Sequence, residues 1–115
     1  MVESPAALGA VFHALASDAR RDMLYRLAAG ELTMGQLAAP LTMSLAGASK
    51  HVQVLEDAGL VKRTIDGRRH LCRLETAPLA AAFAWLTYYQ QFWNERLDSL
   101  EALFQADPTP ETEEP

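Results

Sequence analysis

Residues 33–74 read TMGQLAAPLTMSLAGASKHVQVLEDAGLVKRTIDGRRHLCRL, and the fold turns on how this stretch divides. Thr33 opens a short helix predicted over Met34 to Ala39, with Leu37 and Ala38 inward, and Pro40 ends it. A turn from Leu41 to Met43 leads to Ser44, whose hydroxyl suits the N-cap of a helix running to about Ala58. Leu45, Ala48, Val52 and Leu55 recur at the spacing of one helical face, which predicts all four buried. Gly59 follows as the C-terminal glycine. The apolar period then changes from helical to alternating. Leu60 to Ile65 reads as a strand, Asp66-Gly67 as a tight turn and Arg69 to Leu74 as the returning strand.

Upstream, Leu8, Val11, Phe12 and Leu15 mark one face of a helix from Pro5 to Ala16. Ser17 and Asp18 form an N-cap pair before a second helix, Ala19 to Ala29, predicted to bury Met23, Leu24, Leu27 and Ala28. Downstream, a long helix is predicted from Pro78 to Gln105. One stripe of it holds Leu79, Phe83, Leu86, Trp93, Leu97, Leu100 and Phe104, and a second aromatic group holds Trp85, Tyr88, Tyr89 and Phe92. The order helix, helix, short helix, turn, helix, hairpin, long helix predicts a mainly α fold with a small β-hairpin, a winged helix-turn-helix. The expected organisation is one domain over residues 1–105 and a disordered acidic tail over 106–115, which is mostly Pro, Thr and acids.

The chain has 115 residues and a formal net charge of −5, an unpromising total for a nucleic-acid partner. The charge is segregated, however. Asp107, Glu111, Glu113 and Glu114 sit in the tail without a base, whereas Lys50 to Arg73 hold six bases against three acids. Where the charge lies matters more to a phosphate backbone than the sum. No apolar run is long enough to span a bilayer, and the N-terminus carries an early acid instead of a basic leader. With one cysteine, Cys72, and no disulfide partner for it, the expected setting is the reducing cytoplasm, with no membrane partner.

A recognition helix needs side chains that can bond base edges or phosphates on its outer face. Ser44, Gly47, Ser49, Lys50, His51 and Gln53 lie outside or beside the apolar stripe, Gly47 allowing close backbone approach and Gln53 suiting adenine. Arg68 and Arg69 sit at the hairpin tip, within reach of phosphates or a narrow minor groove. Each group also has a plainer explanation: a solvated helix face, and a charged strand edge that prevents pairing between molecules.

The stretch SLAGASKHVQVLEDAGLV, Ser44 to Val61, resembles the recognition-helix signature of the ArsR family of bacterial transcriptional repressors. Lys62 to Glu75, KRTIDGRRHLCRLE, resembles that family's wing, and ALASDARRDMLYRLAAGELTMGQLA resembles the helices before it. The resemblance covers about Leu8 to Leu103 and implies a homodimeric operator-binding repressor, dimerised through its first and last helices. Many such proteins bind metal through cysteines in an ELCVCDL-like stretch. Here Glu31 to Leu37 read ELTMGQL, and Thr33 and Gly35 stand where thiolates are needed. The last helix has no His, and its carboxylates Glu95, Asp98 and Glu101 form a single row. His13, His51 and His70 are scattered, and Cys72 reads as a small strand residue. No metal and no cofactor are expected.

A helix with aromatics on more than one side meets two surfaces, its own domain and a second subunit. The expected dimerisation residues are Leu8, Phe12, Phe83, Leu86, Tyr89, Trp93, Leu97 and Leu100. The expected partners are double-stranded DNA and a second copy of the chain; a small-molecule effector stays open. There is no nucleophile–base pair and no Gly-rich phosphate loop, so an enzyme is not expected. Two alternatives remain at this stage: a winged-helix interaction module, and a regulator responding to a small molecule or to redox state.

Overall fold

A computed structural model describes residues 5–106. The chain forms two compact units, one ending at Ala82 and the other beginning at Phe83. The predicted acidic tail, from Asp107 onward, lies outside the described residues.

The first unit contains α1 (Pro5–Leu15), α2 (Asp18–Leu27), β1 (Leu32–Thr33), α3 (Met34–Ala38), α4 (Leu45–Asp57), β2 (Val61–Asp66), β3 (Arg69–Leu74) and the start of α5 (Ala77–Ala106). Local chemistry sets the helix ends. Ser17 Oγ accepts from Arg20 N at the start of α2. Thr33 and Gln36 close a reciprocal capping box at α3, and Ser44 Oγ accepts from Gly47 N at 3.1 Å at α4. At the far end of α4, Gly59 takes φ +76° and Leu60 N donates to Leu55 O at 2.9 Å, so the chain reverses and satisfies carbonyls the helix leaves open.

Three arginines on α2 do the same for neighbouring helices. Arg20 donates to Ala14 O (2.7 Å) and His13 O (2.9 Å), and Arg21 to Leu15 O (2.6 Å), at the C-terminus of α1. Arg26 donates to Gln36 O and Leu37 O at the C-terminus of α3. Cations at carbonyl ends also complement the helix dipoles.

The core is made by Val11 and Ala14 of α1, Met23, Leu24 and Leu27 of α2, Leu37 of α3, Ala48, Val52 and Leu55 of α4, and Leu60, Val61 and Cys72 of the sheet segment. Two expected core positions are not in it. Ala28 is exposed at the C-cap of α2, and Leu45 is 58% exposed. Leu45 belongs to the first turn of α4, before the stretch of that helix that contributes Ala48, Val52 and Leu55 to the core.

The hairpin also proves larger than expected. It is a three-stranded antiparallel sheet in the order β1-β3-β2, with Leu32 opposite Cys72 and Thr33 opposite Leu71. Two residues carry no alternation for a sequence pattern to reveal. The turn is displaced by one residue from the expected Asp66-Gly67. Asp66 pairs with Arg69, so Gly67 and Arg68 form the loop. Gly67 alone has positive φ, +65°, matching the two-residue turn with Gly first.

The second unit is the helical run from Phe83 to Ala106. Within it, Trp85 and Tyr89 stack at 4.9 Å between ring centroids, and Tyr88 meets Tyr89 edge-on at the same distance. Phe83, Leu86, Tyr89, Trp93, Leu97 and Leu100 are all exposed in the single chain.

Candidate nucleic-acid interface

Helix α3, the turn after it and α4 form the helix-turn-helix. At roughly 100° per residue, Leu45, Ala46, Ser49, Lys50 and Gln53 occupy one contiguous arc of α4, away from Ala48, Val52 and Leu55. The first part of that arc forms one wall of a groove of about 640 Å³; Met34 and Gly35 of α3 and Arg68, Arg69 and His70 of the hairpin complete it. The groove thus joins the expected reading helix to the expected wing tip.

The cations around it are free to meet a polyanion. Lys50, Lys62, Arg68 and Arg69 are exposed, and none makes a hydrogen bond or ion pair among the described residues. Lys62 was not among the expected site residues; its place on β2 beside the free arginines becomes apparent only from the sheet register, opposite Arg73.

The other expected residues divide by role. Ser44 spends its hydroxyl on capping α4. A Cβ on Gly47 would meet Ser44 Oγ at 3.5 Å and Met43 Cβ at 3.7 Å, ordinary contacts, so the fold itself does not demand glycine there. Ser49 is half-buried in the groove wall. Gln53 Nε2 donates to Asp57 Oδ1 at 2.9 Å, which draws its amide toward the acidic end of α4. His51 lies on the opposite flank, half-buried, with Nδ1 3.2 Å from Arg20 Nη1. It ties α4 to the arginine that caps α1, so the site reading brings it to the scaffold side of the helix.

A brace that sequence patterns do not reveal fixes the hairpin to α4. Arg63 of β2 grips Glu56 of α4 with two nitrogens, Nη2 to Oε1 at 2.7 Å and Nε to Oε2 at 3.2 Å, and Nη1 lies 3.3 Å from His70 Nδ1 of β3. The Glu56 hydrogen bonds raise the Arg63 pKa above its ordinary value against the opposing effect of burial. Such two-nitrogen pairing sets orientation as well as attraction. It also occupies the Glu56 carboxylate, so no bare acid lines the groove.

Comparison with known proteins agrees with this architecture. A helix-turn-helix domain family model matches residues 15–64. The chain is 34% identical over 96 residues to the HTH-type transcriptional regulator Rv2034 of Mycobacterium tuberculosis, covering 84% of this chain and 87% of that protein. It is 38% identical to the crystal structure of the ArsR family transcriptional regulator RHA00566, with a TM-score of 0.75, covering 82% of this chain and 97% of the other. The chain belongs to the ArsR family of transcriptional regulators. The homodimeric winged helix-turn-helix DNA-binding domain of Mb0332 from Mycobacterium bovis, solved by NMR, shares 30% identity, with a TM-score of 0.58 and coverage of 81% of this chain and 83% of the other.

In this ArsR-family chain Thr33 caps α3 and pairs in the sheet, and Gly35 borders the groove. Among the described residues no three His, Cys, Asp or Glu side chains gather as a metal-ligand set, and no helix is long and apolar enough to cross a membrane.

Proposed function

We propose that this ArsR-family regulator is a homodimeric repressor that binds an inverted-repeat DNA operator, with one domain over residues 1–105 serving both recognition and dimerisation. The observation that carries the reading is the shared groove: the exposed arc of α4 and the unpaired Arg68 and Arg69 of the wing border the same space. Lys50, on the arc, and Lys62, on β2, add two more unpaired cations. A helix of this width fits the major groove while the hairpin reaches the flanking backbone. The overall charge of −5 does not oppose this, because local cations decide phosphate contact. In this reading Ser44 and His51 hold the recognition helix in place, whereas Ser49, Lys50 and the wing arginines touch DNA.

The test is a mobility-shift titration on a fragment of the protein's own promoter. Binding should appear at nanomolar protein and weaken steeply with salt, since phosphate contacts release counterions. Lys50→Ala and Arg69→Ala should each weaken binding and make the log–log salt slope shallower by about one, with the dimer intact. Absence of a shift on every upstream fragment at low salt would overturn the proposal.

A further inference from the structure

Leu45 and Ala46 are exposed apolar residues at the entry of α4, and the core does not use them. A lone exposed leucine is commonplace. These two differ because they form one wall of the groove with the rim of Met34 and face arginines across it, with no carboxylate among the lining residues. The helix is polarised as well. Its apolar, acid-free end lies beside the free cations, and its two acids, Glu56 and Asp57, lie at the other end, engaged by Arg63 and Gln53. A polyanion is therefore accepted at the N-terminal end of α4 and disfavoured at the C-terminal end. The N-terminal residues of a recognition helix are those that meet base edges.

We infer that Leu45 and Ala46 form an apolar contact site for the C5-methyl group of thymine in the major groove, and that this pair is a specificity determinant for a thymine in each operator half-site. The inference rests on the operator reading above. In the major groove, thymine alone of the four bases presents a methyl group, and apolar side chains recognise it by excluding water from both surfaces. Arg68 and Arg69 supply the backbone contacts that hold the duplex against this wall. Ser49, one turn beyond Leu45 on the same arc, offers a hydroxyl to the neighbouring base edge.

The test uses the full chain and the fragment it shifts. After footprinting, each thymine in a protected half-site is replaced singly by deoxyuridine, which removes only the methyl group. Affinity is then read by fluorescence anisotropy. The expected result is a loss of about three- to fivefold at one or two positions, the worth of one buried methyl. Leu45→Ala should bind the natural fragment more weakly and be indifferent to deoxyuridine at those same positions. Leu45→Met should retain the discrimination. Because Leu45 is exposed, Leu45→Ala should keep the thermal midpoint and the dimer mass, which separates a contact role from a folding role. If Leu45→Ala keeps the full deoxyuridine penalty, or if every thymine tolerates the replacement, this inference fails while the operator reading stands. If no fragment binds, both fail.

Discussion

Cys72 shows how one side chain can set a pH limit for the whole unit. It is fully buried on the central strand, opposite Leu32 on one side and Arg63 on the other. Burial pushes its thiol pKa up, and the nearby Arg63 guanidinium pulls only partly the other way. The folded state thus favours the neutral thiol, whereas the unfolded chain ionises near pH 8.5. Stability from this source is present below that value and is lost as pH rises past it, because the unfolded state releases its proton first. The urea midpoint of the protein should therefore fall between pH 7.5 and 9.5, and fall less in Cys72→Ala. Equal falls in both would remove Cys72 as the cause. The same burial should leave the thiol unreactive to alkylating reagents until the unit opens. At this scale the sequence is uneven evidence. A lone cysteine in an alternating stretch is readable as a small strand residue, and Ser17, Thr33 and Ser44 are readable as caps because a cap is decided within four residues. Leu45 is not readable, since its helical phase is right and only the arrangement of other elements decides whether anything covers it.

Among the elements, the wing depends on one backbone conformation. Gly67 takes φ +65° as the first residue of the loop, and a Cβ there would touch nothing within 4 Å. Substitution is thus penalised by backbone strain alone, about 1–2 kcal/mol for an ordinary L-residue in the left-handed region. Gly67→Ala should lower the thermal midpoint by several degrees for a domain of this size, and Gly67→Asn by less, because Asn tolerates that region. Circular-dichroism melts of the two variants against the parent measure the order; Asn no milder than Ala would exclude strain as the cause. The hairpin itself was legible because turn chemistry and alternation are local signals. Its exact turn was not, since Asp-Gly and Gly-Arg both fit a two-residue loop and only the pairing of Asp66 with Arg69 chooses between them. Strand β1 and the Glu56–Arg63 brace were invisible for a related reason. Each joins residues separated by other elements, and neither leaves a period in the chain.

At the scale of the whole molecule, the helical run from Phe83 leaves an apolar surface that a single copy does not cover. Phe83 is 70% exposed, Trp93 51% and Leu97 59%, and Leu86, Tyr89 and Leu100 continue the series. Monomeric proteins rarely leave apolar patches of this extent in water, and aromatic residues are enriched where subunits meet. A second copy is the covering that also suits an operator: two recognition helices about 34 Å apart read two half-sites of an inverted repeat. Light scattering behind size exclusion should give twice the 12.6 kDa chain mass. The thermal midpoint should rise with protein concentration, as mass action requires when association stabilises the fold. Trp93→Ala removes a large aromatic from the expected interface, where such truncations commonly raise the dissociation constant tenfold or more, about 1.4 kcal/mol or above. It should shift the mass toward the monomer at low micromolar protein, and weaken DNA binding through the lost dimer, whereas Lys50→Ala weakens DNA binding at full dimer mass. The opposite pattern would exchange the two surfaces. A monomer mass at all concentrations in the parent protein would leave the α5 stripe without the partner assigned to it, and the inverted-repeat reading would fall with the dimer.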